Sequence, residues 1–373
     1  MKVVILGTAH PYRGGLATFN DRLALQFVNE NNNVEVCTFK LQYPSFLFPG
    51  KTQFTDSPAP KNLKIERKIN SCNPLNWIKV GKEIALKKPD LVIFAYWMSF
   101  MAPCMGTIAR VIRKNCEAKL ISLTHNMIPH EPNFLDKFLP NYFVKTMDGF
   151  IALSKSVIED INKFDKRNCP KIFSPHPIYD HYGERLNRNE ALKALNLPTE
   201  DKYVLFFGFI RAYKGLDLLL KAFANQKLKN KNIKLIVAGE FYSDEKNYQS
   251  LIDELEIREQ VILRTDFIPD SEVNKYFSAA DIVAQPYKTA TQSGVTQIAY
   301  HFEKPMLVTN VGGLAEIVPH QKVGYVVNPD AEEIAEALID YFETDRMEQF
   351  EKNMAEEKKK YLWSNLTKAI SQL

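Results

Sequence analysis

Two cations stand close together in the segment 206–223, FFGFIRAYKGLDLLLKAF. Arg211 and Lys214 follow an apolar run that is typical of a buried strand, and a helical pattern begins after them. The planar fork of donors on an arginine and the compact charge of a lysine both suit a diphosphate. Because Gly208 lies beside the pair and lets a ligand approach the backbone closely, the segment predicts a phosphate site.

A second candidate phosphate site lies in the segment 286–318, where a polar turn separates a predicted strand from a predicted helix over 295–302. The turn consists of Thr291, Gln292, Ser293 and Gly294. The first N–H groups of a helix have no partner within the helix, and the helix dipole favours an anion there. The turn therefore predicts a cradle of backbone amides that binds phosphate without a metal.

The amino-terminal half carries two further candidates. In the segment 7–20, a strand leads through the Gly14–Gly15 turn into a helix, whose start favours an anionic group. Its spacing is not G-x-G-x-x-G, which disfavours a nicotinamide or flavin cofactor. His125 ends another predicted strand, either as a packing residue or as a ligand contact. His130 and Glu131 follow it, but two ligands without a third do not define a metal site, and the chain has no D-x-D pair.

Short, continuously apolar runs alternate with helical patterns along the chain, which predicts α/β structure with parallel sheets covered on both faces. The predicted strands are 3–7, 34–39, 90–96, 119–125, 149–154, 203–208, 233–239, 260–267, 281–287, 305–311 and 323–329. The predicted helices are 15–29, 74–88, 105–115, 153–163, 214–225, 245–256, 270–279 and 331–343.

The series occurs twice, which predicts two facing, doubly wound, Rossmann-like domains over 1–173 and 178–350 with a central cleft. Ligands of such sheets bind at the carboxyl ends of the strands. The segment 351–373 is expected to be a helix that returns to the first domain, with Leu362, Trp363, Leu366 and Ile370 as its apolar stripe.

Composition narrows the class of protein. A length of 373 residues, with 45% hydrophobic and 25% charged residues, fits two globular domains and excludes a disordered or collagen-like chain. The five cysteines are scattered without a C-x-x-C pair, which predicts reduced thiols in a cytoplasmic protein without a zinc site. No apolar run approaches the roughly 18 residues of a membrane span. The modest net charge of +4 and the absence of a recognition motif disfavour nucleic-acid binding.

Charge is unevenly distributed, and an unusual apolar loop lies in the basic half. Residues 1–180 hold 24 Lys and Arg against 15 Asp and Glu, whereas the remainder has a net charge of −5.

The loop 41–54 places Tyr43, Phe46, Leu47 and Phe48 among prolines and a glycine. It predicts contact with a lipid-linked acceptor or a membrane surface, to which 97–103 and 134–147 add apolar and cationic residues. Local packing beneath a long loop is the alternative.

In this order and spacing, the motifs resemble the retaining glycosyltransferases of family 4, the group 1 glycosyltransferases, over nearly the whole chain. The residues that carry the resemblance are Gly14–Gly15, His125–Asn126, Gly208 with Arg211, Lys214 and Gly215, Gly239–Glu240, Ser293–Gly294 and 312–316 (GGLAE). The resemblance implies the GT-B fold, a nucleotide-sugar donor held mainly by the second domain, an acceptor held by the first, and no essential metal or other cofactor.

The resemblance also implies individual roles. Arg211 and Lys214 would stabilise the departing phosphate, and His125 would hydrogen-bond the transferred sugar. Gly14 and Gly15 would approach the diphosphate, Ser293, Gly294 and Val295 would present their backbone to phosphate, and the base would lie near Glu240 and 267–269 (Phe267, Ile268 and Pro269). Asn126 and Gly208 complete the substrate-binding residues that the resemblance implies.

Two departures from the family pattern stand out. The family usually has two glutamates eight positions apart, which fall here on Ala290 and Ile298 or, shifted by one, on Thr289 and Gln297. The amide of Gln292 or Gln297 would then bind the ribose or the sugar. The family also often places an arginine directly after the glycine of the cationic loop, where this chain has Phe209 and its arginine comes two residues later.

The expected reaction is therefore a metal-independent, retaining, front-face hexosyl transfer. The donor would be a UDP- or GDP-sugar, and the acceptor a hydroxyl of a glycan or lipid-linked molecule in cell-surface polysaccharide or glycolipid synthesis. The enzyme would act in the cytoplasm, at the inner face of the membrane. Two alternatives stay open: a nucleotide-sugar epimerase of the same fold, and a nucleotide-sugar-binding protein without catalytic activity.

Overall fold

The computed structural model divides the chain into two compact units, each described below by itself. The first unit comprises Met1–His176 and Trp363–Leu373, and the second comprises Pro177–Leu362. The structure describes residues 1–43, 53–55, 58–128, 134–229, 231–290, 293–344 and 346–373. The loop 41–54 of the sequence analysis lies largely outside these residues, as do Thr291, Gln292, His130 and Glu131.

The first unit is built on a parallel sheet of seven strands in the order β3-β2-β1-β4-β5-β6-β7. The strands are β1 (Lys2–Leu6), β2 (Asn33–Leu41), β3 (Lys64–Asn70), β4 (Leu91–Tyr96), β5 (Lys119–Thr124), β6 (Gly149–Ala152) and β7 (Lys171–Phe173). The central strand β1 pairs with two neighbours, so that Val3 lies opposite both Val34 and Leu91. Strand β4 is buried along its whole length, as expected for a strand covered on both faces.

The helices of the first unit are α1 (Gly15–Asn29), α2 (Pro74–Leu86), α3 (Ala102–Asn115), α4 (Leu139–Val144) and α5 (Lys155–Phe164). Helix α1 has the predicted bounds. Helix α2 begins where the Asn73 side chain accepts a hydrogen bond from the Asn76 N–H, and Pro74 has no N–H that would need an acceptor. The side chains of α1 to α3 that face the sheet, such as Phe27, Ile84 and Ile108, are buried.

The second unit has a parallel sheet of six strands in the order β10-β9-β8-β11-β12-β13. The strands are β8 (Lys202–Phe207), β9 (Ile233–Ala238), β10 (Val261–Arg264), β11 (Ile282–Gln285), β12 (Met306–Thr309) and β13 (Gly324–Val327). The helices are α6 (Arg188–Ala194), α7 (Leu216–Phe223), α8 (Gln226–Lys229), α9 (Glu245–Glu254), α10 (Asp270–Ala279), α11 (Gly294–His301), α12 (Leu314–Ile317), α13 (Ala331–Glu343) and α14 (Met347–Lys358).

Both sheets are doubly wound, as the sequence predicted. The strand order reverses beside β1 in the first unit and beside β8 in the second. At such a reversal the loops that leave the carboxyl ends of two adjacent strands diverge and open a crevice, which is where these sheets bind ligands. In the second unit this point lies between β8 and β11, and the segments 208–215 and 286–290 lead away from it.

The carboxyl-terminal segment differs from the single predicted helix over 351–373. Helix α14 ends at Lys358, a 3₁₀ turn covers Lys359–Tyr361, and a separate helix, α15 (Trp363–Gln372), follows. Residues up to Leu362 belong to the second unit, and α15 belongs to the first. Of the predicted apolar stripe, Trp363, Leu366 and Ile370 are buried, whereas Leu362 is 38% exposed. The break follows from Leu362, whose extended backbone ends the helical run.

Candidate functional site

Lys214 is a buried cation at the strand reversal of the second sheet. It ends the 3₁₀ turn Ala212–Lys214 between β8 and α7, and only 8% of it is exposed. Its Nζ lies 5.7 Å from the centre of the Tyr287 ring. A Cβ atom added to Gly208 would lie 3.1 Å from the same Nζ, so the ammonium group rests against the Gly208 backbone.

No carboxylate within the described part of the chain pairs with Lys214. Asp217, the acidic residue nearest to it in sequence, pairs instead with Lys288 at 2.8 Å. Burial and, to a smaller extent, the positive charge of Arg211 together lower the pKa of Lys214 to about 8. A buried ammonium group without an anion is unfavourable, so this position is prepared for an anionic ligand.

The backbone on both sides of Lys214 requires glycine. Gly208 has φ +93° and Gly215 has φ +69°, in the left-handed region that other residues rarely adopt. A Cβ atom added to Gly215 would lie 1.9 Å from the carbonyl oxygen of Pro286. The two loops at the strand reversal are therefore packed backbone against backbone, and this close packing fixes Lys214 beside Tyr287.

We expect Gly215→Ala to lower the free energy of unfolding by about 2–4 kcal/mol, because the methyl group overlaps a backbone oxygen and the left-handed φ is strained. The matched control is Gly15→Ala, since a Cβ atom there meets no atom within 4 Å. All three tryptophans (Trp77, Trp97 and Trp363) lie in the first unit, so circular dichroism during urea unfolding is the suitable measurement. Equal stability of the two variants would contradict this account of the loop.

The start of α11 lies beside the same cluster. Ser293 caps the helix: its Oγ accepts a hydrogen bond from the Val295 N–H at 3.2 Å. The same Oγ lies 3.1 Å from the Tyr287 hydroxyl, and a Cβ atom on Gly208 would lie 3.9 Å from Val295 Cγ2. Tyr287 therefore contacts both the ammonium group of Lys214 and the helix cap. The structure brings together four of the predicted residues: Gly208, Lys214, Ser293 and Val295.

Arg211 is exposed and lies over an aromatic ring at the edge of this cluster. Its guanidinium carbon is 5.1 Å from the centre of the Tyr242 ring, which in turn contacts Phe209 at 4.7 Å. The Ile210 N–H donates to the carbonyl oxygen of Glu240 at 2.8 Å, so the loops after β8 and β9 are joined. The Tyr242 ring thus holds Arg211 in place. The positive charge of Arg211 is close enough to Lys214 to lower the pKa of that lysine.

The remaining predicted residues of the second unit lie on the loop after β10 and on α11. Phe267, Ile268 and Pro269 lie between β10 and α10, and the Phe267 side chain is 60% exposed. Gln297 lies on α11 and is 1% exposed, with no hydrogen-bond partner for either amide atom among the described residues. Of the positions where the family has glutamates, Ile298 is buried and Ala290 is half-buried.

In the first unit, the Gly14–Gly15 turn leads into α1 without a side-chain cap. A Cβ atom on either glycine would meet no atom within 4 Å, so the start of this helix is open to a ligand. His125 follows β5 and donates its backbone N–H to the Tyr96 carbonyl oxygen at 2.8 Å. Asn126 is exposed beside it.

The His125 ring is held by aromatic packing rather than by polar contacts. It meets the Phe19 ring edge-on at 4.8 Å, and its Nε2 is shielded from solvent without a hydrogen-bond partner among the described residues. Burial lowers the pKa of His125 to about 3, with a smaller contribution from the charge of His176. At neutral pH the imidazole is uncharged, so it can accept or donate a hydrogen bond to a hydroxyl but carries no charge for phosphate.

Several residues of these clusters escaped the sequence analysis. Tyr287 and Tyr242 lie in apolar or mixed segments, where a tyrosine resembles an ordinary core or surface residue. His176 also packs edge-on against the Phe19 ring, at 4.9 Å, and a histidine just after the last strand of the first unit was the available signal for it. Asp21 accepts the His10 N–H on α1, and burial raises its pKa to about 7. An acidic residue soon after a Gly-Gly helix start was the available signal for Asp21.

None of the described helices combines the length and the apolar composition needed to cross a bilayer. Within the residues that the structure describes, no three His, Cys, Asp or Glu side chains are grouped so that they could hold a metal ion.

Comparison with protein families and sequences identifies relatives. Residues 187–361 match the family described as glycosyl transferases group 1. An uncharacterized glycosyltransferase of Methanocaldococcus jannaschii is 29% identical over 183 residues, which are 47% of this chain and 45% of that protein. A D-inositol 3-phosphate glycosyltransferase of Corynebacterium urealyticum is 23% identical over 310 residues, 76% of this chain and 70% of that protein. The chain spans about half the length of the first two relatives.

Solved structures share the fold along the whole chain. Sucrose-phosphate synthase from Thermosynechococcus elongatus superposes with a TM-score of 0.70 and 17% identity, covering 100% of this chain and 98% of that chain. Anabaena HepE in complex with UDP superposes with a TM-score of 0.73 and 16% identity, covering 100% of both chains. The two Rossmann-like units share the GT-B fold of these structures, and residues 187–361 match the group 1 glycosyl transferases.

Proposed function

We propose that this protein transfers a hexosyl group from a UDP- or GDP-sugar to a hydroxyl of a glycan or lipid-linked acceptor, with retention of anomeric configuration and without a metal. The observation that carries the proposal is the buried ammonium group of Lys214 beside the start of α11, which pairs with no carboxylate among the described residues. That arrangement suits a diphosphate, because it places one compact positive charge beside the amino-terminal end of a helix, where the dipole favours an anion.

The same groups suit the chemistry of sugar transfer. When the bond between the anomeric carbon and the diphosphate oxygen breaks, negative charge develops on that oxygen. Lys214 and Arg211 stabilise this charge in the transition state, where preorganised electrostatics has its largest effect. The leaving phosphate takes the proton of the acceptor hydroxyl, so no protein carboxylate is required as a base. The predicted hydrogen bond from His125 to the transferred sugar is part of this proposal.

The names of related proteins support the donor and acceptor classes. One solved structure of the same fold is described as a complex with UDP-glucose. A Salmonella typhimurium relative, 25% identical over 234 residues, is named a lipopolysaccharide 1,2-N-acetylglucosaminetransferase. A cell-surface glycan or glycolipid acceptor for this chain is inferred by analogy. The predicted membrane contact through 41–54 and the location at the inner membrane face stay predictions.

The donor is tested by thermal unfolding with UDP-, GDP-, ADP- and dTDP-sugars. We expect UDP- or GDP-sugars to stabilise the protein by about 2.7 kcal/mol at one hundred times their Kd, and the other two to have little effect. Release of the sugar from the stabilising donor, measured with EDTA present, then tests for turnover. Stabilisation without any sugar release or transfer would favour the non-catalytic alternative, and no stabilisation by any donor would overturn the proposal.

A further inference from the structure

An aromatic contact holds the His125 ring where a hydrogen bond would be expected. In many proteins a hydrogen bond to one ring nitrogen sets the orientation of an imidazole. The Nε2 atom of His125 is shielded from solvent and has no such partner among the described residues. The ring instead meets the Phe19 ring edge-on, with 4.8 Å between the two ring centres. Because Phe19 is only 1% exposed, its own position is set by the side chains that pack around it.

Two further rings pack against Phe19, and both belong to residues at the limits of the first unit. The His176 ring lies edge-on to the Phe19 ring at 4.9 Å, and the Trp363 ring is tilted against it at 4.9 Å. These separations lie in the range that aromatic pairs prefer. His176 is the last residue of the first unit before the chain enters the second, and Trp363 is the first residue after the chain returns. One ring, that of Phe19, therefore connects His125 to both of these positions.

Trp363 is fixed by the side of α1 that carries Phe19. Phe19 and Arg22 lie about one turn apart on α1, and Glu30 follows on the same side of the helix. The guanidinium carbon of Arg22 is 5.1 Å from the centre of the Trp363 ring. One turn further along α15, the Thr367 hydroxyl donates to Glu30 Oε1 at 2.7 Å. Trp363, which is 3% exposed, is thus held against Phe19 by contacts above its ring and along its helix.

We propose that Trp363 and Phe19 are positioning residues for His125. Trp363 fixes the Phe19 ring, and the Phe19 ring fixes the imidazole in the orientation that hydrogen-bonds the transferred sugar. The inference rests on the proposed function, from which it takes the role of His125. It gives the last helix of the chain a part in the reaction that acts through α1 rather than through contact with the substrate.

The contact is tested by NMR without any nucleotide. Ring-labelled histidine gives signals from the seven histidines of the chain, and the signal that is lost in His125→Asn belongs to His125. The ring current of Phe19 displaces this signal from that of a free imidazole. We expect Trp363→Ala to shift the signal toward its position in Phe19→Leu. Trp363→Phe, which restores an aromatic ring, should keep the signal close to that of the parent.

Ile370→Ala is the matched control for the loss of packing. Ile370 is 1% exposed and lies on α15 about 10 Å along the helix from Trp363. The variant removes buried apolar volume from the same helix, so it should lower the unfolding temperature as Trp363→Ala does. We expect the His125 signal of Ile370→Ala to stay at the parent position, because the Phe19 ring keeps its neighbours.

Kinetics tests the consequence for sugar transfer. We expect Trp363→Ala to lower kcat roughly tenfold and Phe19→Leu up to about a hundredfold, since small displacements of an orienting group have effects of this size. The KM for the donor should hardly change, because the lost interaction is one that develops in the transition state. Trp363→Phe should recover most of kcat. The double variant W363A/H125N should be no slower than His125→Asn, because Trp363 acts only through His125.

Three results would overturn the proposal. They are a His125 signal in Trp363→Ala that stays at the parent position, equal losses of kcat in Trp363→Ala and Ile370→Ala, and additive losses in W363A/H125N. Absence of any transfer by the parent would instead overturn the proposed function. The NMR comparison needs no donor, so it would still decide whether Trp363 orients His125.

Discussion

Lys214→Met is expected to be almost inactive and yet more stable than the parent protein. We expect kcat/KM to fall by about a thousandfold, on the order of 4 kcal/mol of transition-state stabilisation, because the buried charge that faces the leaving phosphate is removed. Methionine has a similar length and no charge, so it fills the space beside Tyr287 without the unpaired ammonium group. Removing that uncompensated buried charge should raise the free energy of unfolding by about 1–3 kcal/mol.

The pH dependence of stability provides an independent test of the same residue. The folded protein holds the pKa of Lys214 at about 8, below the ordinary value of 10.5. Between these two values the unfolded chain binds more protons than the folded chain, so the stability of the parent rises with pH across this window. The advantage of Lys214→Met should therefore be greatest below pH 8 and should disappear near pH 10.5. Urea unfolding at pH 7 and pH 10 measures both points.

Activity should change with pH in the opposite direction. Because kcat/KM reports the ionisation of the free enzyme, it is expected to decline as the pH rises through about 8 and Lys214 loses its proton. Lys214→Arg keeps a charge at every accessible pH and serves as the control: its lower activity should not decline there. A Lys214→Met variant within tenfold of the parent activity would contradict the role assigned to this lysine.

Most of the fold was predictable because buried parallel strands have a strong signature in sequence. The runs VVILG and LVIFAY predicted β1 and β4, because a strand that is covered on both faces is apolar along its whole length. The edge strand β3 was missed because its sequence, KIERKIN, is charged at four of seven positions and only Ile69 is fully buried. An edge strand with one neighbour needs little apolar surface, so periodicity alone does not separate it from a loop.

The candidate site was predictable only where backbone geometry dictates the residue type. Gly208 and Gly215 are visible in sequence because a left-handed backbone selects glycine. Ser293 is visible because serine is a preferred helix cap. Tyr287 contacts both Lys214 and Ser293, but the run DIVAQPY that contains it resembles any buried strand end. Contacts between side chains distant in sequence depend on the packing of β8 against β11, which local patterns do not encode.

Arg211→Ala is expected to lower kcat/KM by about a hundredfold, about 3 kcal/mol, while leaving stability nearly unchanged. The activity loss follows from the same electrostatic argument as for Lys214, but the effect is smaller because an exposed charge is better screened by water. The stability should hold because Arg211 is exposed and rests on the Tyr242 ring rather than in the core. Arg258→Ala is the control, since Arg258 is an exposed arginine of the same unit that pairs with Asp253.

Tyr242→Ala separates the charge of Arg211 from its placement. Loss of the ring leaves the guanidinium group charged but free to sample other rotamers, so we expect a reduction of roughly three- to tenfold, smaller than that of Arg211→Ala. The double variant should be no worse than Arg211→Ala alone, because the ring acts only through the arginine it holds. Additive losses would show that Tyr242 contacts the substrate itself. Near-normal turnover of Arg211→Ala would remove Arg211 from the mechanism and leave Lys214 and the α11 amides as the groups that stabilise the leaving phosphate.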